Sequence, residues 1–457
     1  MTGSTEHRRR RLPGPTGPGH LRYVRGLLGR PYDALLDLHS RYGPVCAFGF
    51  GSQRYVMLFG PEANQLLLTD SPARPRFLSR DVLSLLIPVV GARAMVVSDG
   101  EDHRRRRALV RPAFVRRRIE GYVPVMVGEI HRMIESWPAA RTVNAFDAVR
   151  SCIRRIAIRS LFGDRLQVHT DQIGRELETA LRYINRSPFL RFDHDLPGTA
   201  YRRAMAARGR VDQLVRAEIA KRRAEPEDRG DVLDALLAAG ADDGDQLADL
   251  EIRDQVISLI ASGYDSSSSA AGWAVYALLS HPEVYDRIRA EVARVAGDEP
   301  LNADLLGEMT YVGWTVSEIL RLYTPGVLTG RTAVEDFEFA GELITAGSKV
   351  LYSQYVTHRL PQHWPDPLAF RPERWDSTAP DYREPAPFSF VPFGGGYRKC
   401  IGWAFAELEL RALIAELARR TDLSLVGPPV QPTGVATMWP RGGVPVTVRS
   451  VRPRAAG

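Results

Sequence analysis

The 457-residue chain has only three cysteines, Cys46, Cys152 and Cys400, set far apart and without a Cys-x-x-Cys step. That spacing excludes a disulfide framework or a cysteine-rich zinc site within one chain, and it fits a reducing, cytoplasmic setting. Lysine is equally scarce: Lys221, Lys349 and Lys399 stand among 61 basic residues, so arginine carries nearly all the positive charge. A net charge of +7 raises the question of an acidic or nucleic-acid partner, but the arginine bias reads first as codon composition, with most of these side chains solvated. No run of 18 apolar residues occurs, and the N-terminus MTGSTEHRRRRLPGPTGPGH lacks an apolar signal core, so no membrane span is expected. At 44% apolar residues the chain is neither disordered nor fibrous, and its length suffices for a large core.

Residues 1–20, with an Arg run and Gly-Pro steps, read as a flexible arm ahead of a single domain over 21–457. A small hairpin is expected from VCAFGF and RYVMLFG around Gly51–Arg54. The segments 104–137, 146–163, 171–186, 199–224, 246–296 and 305–323 carry helical patterns. After Pro325 the pattern alternates, with Gly341 and Gly347 at turns, and predicts strands; 361–392 is rich in Pro and Asp, and a helix follows from about Gly402 to Arg420. The fold class is therefore mainly α with a small β subdomain.

The segment Phe393-Gly394-Gly395-Gly396-Tyr397-Arg398-Lys399-Cys400-Ile401-Gly402 sets a thiol between a glycine loop and a helix start. The helix N-terminus and the two adjacent cations favour a thiolate, which can act as nucleophile or metal ligand. The glycines let the backbone approach a flat object, and Gly402 removes a side chain where one could sit. The loop lacks the spacing and the Ser/Thr of a phosphate-binding P-loop.

The order Phe393-x-x-Gly396-x-Arg398-x-Cys400-x-Gly402 resembles the haem-binding signature of the cytochrome P-450 family at every fixed position. The resemblance runs from about Leu35 to Val448 and implies haem b (iron protoporphyrin IX) between a long central helix and the Cys400 loop, with Cys400 as the axial thiolate. It implies that Phe393, Gly394 and Gly402 shape the loop, and that His103, Arg107, Arg331 and Arg398 hold the haem propionates, with His358 a further candidate. His103 and Arg107 stand four apart on a helix, so both project from one face.

Glu318 and Arg321, 82 residues before Cys400 (400 minus 318), together with Arg374 of Phe370–Trp375, resemble the family's buried ion-pair triad. Other Glu-x-x-Arg pairs, Glu101/Arg104, Glu129/Arg132, Glu291/Arg294 and Glu416/Arg419, read as surface helix pairs. The polar centre of the long helix, Ala261–Ser269, is expected to open locally, because Ser, Asp and Gly compete with helical hydrogen bonding. There Gly263, Asp265 and Ser266 resemble the family's dioxygen-side motif, Asp265 and Ser266 being the proton-delivering acid and alcohol. Ser266 stands where Thr is usual and lacks its methyl group.

The implied reaction is monooxygenation: one atom of O2 enters a lipophilic small molecule such as a terpenoid or polyketide of secondary metabolism. No segment suits a fused reductase, so electrons are expected from NAD(P)H through a separate ferredoxin or flavodoxin and its reductase, met by a basic face near Arg398 and Lys399. The protein is expected to be a cytoplasmic monomer that binds no nucleic acid, since Arg104–Arg118 lacks interleaved aromatics. A hydrogen-peroxide-dependent peroxygenase and a non-catalytic haem sensor are the alternative readings. The substrate pocket is expected to draw on Phe77–Val97, Ile184–Pro197, Gly326–Thr329 and Val435–Met438, with Tyr264 and Asp193 as polar contacts.

Overall fold

The structure, a computed structural model, describes residues 11–452 apart from 50, 52–53, 72, 164–168, 185–193, 228–229 and 240–246. Asp193 and most of the 184–197 segment therefore lie outside the described residues.

Helices form where apolar residues recur at helical spacing and a cap closes the end. In Val123–Glu135 the buried Val123, Met126, Val127, Ile130, Met133 and Ile134 make one continuous stripe. Ala145–Phe162 starts at Asn144, whose side chain accepts the Phe146 N–H, and stops at Gly163, φ +62°. These two helices pack with Trp403–Arg420 and the 32-residue central helix Asp249–Ser280 around the largest apolar core. The central helix opens with Glu251, which accepts the Ala248 N–H and also Arg105 and Arg106 of the helix Gly100–Val110. One carboxylate thus caps the core helix and ties a second helix to it.

The expected helix over 104–137 is broken into Gly100–Val110, a 3-10 turn Arg111–Phe114 that holds Pro112, Arg116–Gly121, and Val123–Glu135 with Pro124 in its first turn. The expected opening of the central helix is absent: it stays α-helical through 261–269. Its serines bond back into the helix, Ser262 Oγ to Ser258 O at 2.7 Å and Ser266 Oγ to Ser262 O at 2.8 Å.

The hairpin Val45–Phe48 with Tyr55–Leu58 forms as expected. It continues into a five-stranded sheet: Tyr55–Leu58 pairs parallel with Lys349–Tyr352, then Thr329–Ala333 and Phe77–Leu78 follow antiparallel. This sheet brings Arg331 in from a distant part of the chain. No helix among the described residues is long and apolar enough to cross a membrane.

Candidate functional site

The Cys400 loop is built by short backbone bonds. Cys400 N–H donates to Phe393 O at 2.9 Å, Lys399 N–H to Gly396 O at 3.1 Å, and Gly394 N–H to Val391 O at 3.0 Å. Gly394 and Gly396 take left-handed backbone, φ +66° and +59°. A Cβ on Gly396 would sit 1.8 Å from Leu68 O, and one on Gly395 3.3 Å from the Leu68 side chain. These two glycines therefore admit the helix Pro61–Leu68 rather than a flat ligand, a correction to the reading of the triplet. Gly402 differs: a Cβ there meets only Phe114, at 3.9 Å, and one on Gly263 meets nothing. Neither position is crowded by protein.

Cys400 is exposed on its loop, yet protein atoms crowd around it closely enough for burial to dominate its titration. Burial raises its pKa, against the Gly402 N–H and the charges of Arg107 and Lys399, which act the other way. The expected preference for thiolate is thus reversed by desolvation, and a coordinating metal cation is what would hold the sulfur deprotonated. The central helix carries the matching feature. Within 260–271, Ser262, Gly263 and Ser266 are accessible and Asp265 is half-buried, while the other positions are buried. Spacing of three and four puts the accessible residues on one face.

Around His103 four basic groups converge. His103 is 3% exposed and its Nδ1 has no hydrogen-bond partner. Burial, then the charges of Arg398, Arg107 and Arg331, lower its pKa to about 3, so all three guanidiniums act on the ring. Arg107 donates to Lys399 O at 2.6 Å, and buried Arg331 donates to Gly330 O at 2.8 Å. Arg398 donates to Ser98 O and Asp99 Oδ1, leaving its buried Nε unpaired. Clustered cations of this kind, with orphaned donors, are stable around an anion. The residues present fit the two carboxylates of haem.

His358 stands elsewhere. Its Nε2 accepts the Val391 N–H at 3.0 Å, and it lies fully buried beside Arg321, so it supports the chain entering the loop rather than the anion cradle. Glu318 is fully buried and accepts five hydrogen bonds: two from Arg321 (2.9 and 2.8 Å), and one each from Arg374 Nε (2.9 Å), Arg371 N–H (3.0 Å) and Trp375 Nε1 (3.1 Å). Arg321 extends to His358 O, Pro367 O and Ala369 O. The triad therefore staples the irregular segment before the loop, with Trp375 as a member that spacing did not reveal.

The surface reading of three other pairs fails. Glu129 is fully buried among Arg132, Arg155 and Arg159; Glu291 caps the Tyr311 and Val312 N–H groups; and Glu416 is buried beside His131. Only Glu101/Arg104 is an exposed pair. Tyr264 is buried in an apolar cluster with Val89, Val97 and Leu181, and its hydroxyl has no hydrogen-bond partner among the described residues. Asp265 Oδ2 accepts Thr437 Oγ1–H at 2.7 Å. Sequence patterns gave no sign of this contact, nor of Asp99, which anchors Arg398 and accepts the Ser79 and Arg80 N–H groups.

A mainly helical fold that sets a thiol on a glycine loop beside a cluster of basic groups is the arrangement a haem-thiolate protein requires. The family model "Cytochrome P450" matches residues 16–441. Putative cytochrome P450 139 of Mycobacterium tuberculosis is 40% identical over 428 residues, covering 92% of this chain and 98% of the relative. Cyclooctatin synthase of Streptomyces melanosporofaciens is 35% identical over 400 residues, covering 86% and 85%. The solved structure of retinoic acid bound cyanobacterial CYP120A1 superposes with a TM-score of 0.87 at 27% identity, over 96% of this chain and 99% of that one. The chain belongs to the cytochrome P450 family and is an enzyme of it, with the fold expected of its sequence.

Proposed function

We propose that this protein is a haem-thiolate monooxygenase that inserts one oxygen atom of O2 into a lipophilic secondary metabolite of the terpenoid or polyketide kind. The observation that carries the reading is the convergence of His103, Arg107, Arg331 and Arg398 beside the Cys400 loop. Haem held there would supply the oxygen chemistry. In this reading Cys400 ligates the iron, and the four basic groups bind the propionates. The Glu318–Arg321–Arg374 triad fixes the loop, and Asp265 and Ser266 move protons on the accessible face of the central helix. Ser266 donates to Ser262 O, so its oxygen lone pairs stay available to accept a hydrogen bond. The names of two Streptomyces relatives, cyclooctatin synthase and cyclooctat-9-en-7-ol 5-monooxygenase, support a secondary-metabolite substrate.

Electrons would come from NAD(P)H through a separate reductase and a ferredoxin or flavodoxin. Exposed Arg104, Arg111, Arg116 and Arg117, on segments adjoining the Cys400 loop through Arg107 and Phe114, would suit an acidic partner. The test is a screen of lipophilic compounds for a substrate-induced Soret shift, followed by product analysis under 18O2 with a surrogate ferredoxin and reductase. One labelled atom in the product supports the reading; a product that takes up no label from 18O2 would overturn it.

A further inference from the structure

We propose that Thr437 is a positioning residue for Asp265, fixing the carboxylate of the central helix from a rigid loop near the C-terminus. The inference rests on the monooxygenase reading and adds to it a residue outside the central helix. Its core is the 2.7 Å hydrogen bond from Thr437 Oγ1–H to Asp265 Oδ2. Ser262 and Ser266, the hydroxyls on the same stretch, satisfy their donors within the helix, whereas Asp265 is tied to a different part of the chain.

The loop carrying Thr437 is held on both sides. Val327 N–H donates to Ala436 O at 3.3 Å, and Met438 N–H donates to Pro325 O at 3.1 Å. Met438 O in turn accepts Ser269 Oγ–H and, at 2.9 Å, Trp273 Nε1–H, both from the central helix one and two turns beyond Asp265. Gly434 lets the loop turn this tightly: its φ is +93°, and a Cβ would lie 2.2 Å from Thr437 O. Thr437 therefore cannot drift relative to the helix that bears Asp265. A hydroxyl has one donor and two acceptor sites, so Thr437 can direct one carboxylate oxygen and still accept a proton-bearing group itself. Without it the half-buried Asp265 has more rotamers open to it, and the placement of its carboxylate seen in the structure is less populated.

The test uses the haem-loaded protein as wild type, Thr437→Val and Thr437→Ser, with CO and O2 as the only ligands. The infrared C–O stretch of the ferrous CO complex reads the polar surroundings of the iron. Peroxide released per NAD(P)H during oxygen reduction, and its solvent deuterium isotope effect, read proton delivery. Thr437→Val is expected to broaden or shift the C–O band and to raise the peroxide share roughly tenfold, the lower end of the weight of one hydrogen bond to a charged group. Thr437→Ser is expected to match wild type. A double-mutant cycle with Asp265→Asn should be non-additive. If Thr437→Val matches wild type in band, peroxide and isotope effect, or if Thr437→Ser behaves as Thr437→Val, the proposal is overturned. A wild-type CO complex lacking the thiolate signature would overturn the haem-thiolate reading itself, and this inference with it. Should Thr437→Val fail to fold, Thr437→Ala and the Asp265→Asn cycle give the same reading.

Discussion

Replacing Glu318 by Ala removes the acceptor of five hydrogen bonds at a site with no exposed surface. Arg321 and Arg374 are then left as buried guanidiniums without a counter-charge. Breaking a buried pair from one side costs about 3–5 kcal/mol, against a total stability of about 5–15 kcal/mol for a folded protein. The damage is also local. Arg321 reaches His358 O, Pro367 O and Ala369 O, and Arg374 reaches Pro365 O and Asp366 O, so the segment before the Cys400 loop loosens first. Burial pushes the Glu318 pKa up, but hydrogen bonds and charge from Arg321, then Arg374 and the Arg371 N–H, hold it below the usual carboxylate value. Its stabilisation is therefore present above the unfolded pKa and is lost as pH falls through the depressed folded one. Glu318→Ala is expected to yield protein without haem and with a lowered thermal midpoint, measured by pyridine haemochrome content and circular dichroism. Glu318→Gln should lose less, since its amide oxygen still accepts while its NH2 faces arginine donors. A Glu318→Ala protein with one haem per chain and an unchanged midpoint would refute the role given to the triad.

Gly402→Ala and Gly396→Ala should fail differently. The Gly402 Cβ is free of protein, so the apoprotein should keep its melting temperature while haem binding weakens; a Cβ at Gly396 meets Leu68 O, so folding itself should suffer. His358 is held neutral in the fold, its pKa lowered from 6.5 to about 3 by burial and then by Arg321 and Arg359. The unfolded chain takes up that proton first, so stability should fall as pH drops from 6.5 toward 3, and urea titrations should show a shallower fall in His358→Gln. Equal slopes would refute this. Ser266→Ala should release more peroxide per electron pair than wild type, and Ser266→Thr should not; equal coupling in the alanine variant would count against the alcohol's role. Coupled turnover with an acidic ferredoxin should weaken as salt rises, and indifference to ionic strength would remove the arginine-rich face as its docking site.

Much of the architecture was legible because helical periodicity and turn glycines act locally. Ala145–Phe162, Thr170–Ile184, Ala200–Ala224 and Trp403–Arg420 fall within a residue or two of their expected bounds. The Cys400 loop was legible because its order of residues is rare. What the sequence hid depends on long-range placement. Glu129, Glu291 and Glu416 have the spacing of surface pairs, and only packing reveals that they are buried caps and ion-pair centres. The serine run of the central helix looked like a helix breaker, but side chains bonded to the preceding turn keep it whole. Asp99 and Thr437 lie 299 and 172 residues from the groups they hold, beyond the reach of any local pattern. The same is true of the sign of the Cys400 shift, because the desolvation that outweighs its neighbouring cations comes from the whole fold.

The central claim is that Cys400 ligates haem iron as a thiolate. The most direct measurement is the difference spectrum of the dithionite-reduced protein with and without carbon monoxide, using Cys400→Ser as control. The account predicts a red-shifted Soret band characteristic of thiolate ligation that is lost in the variant. A band at the shorter wavelength of a neutral axial ligand, or a band that survives Cys400→Ser, would contradict it.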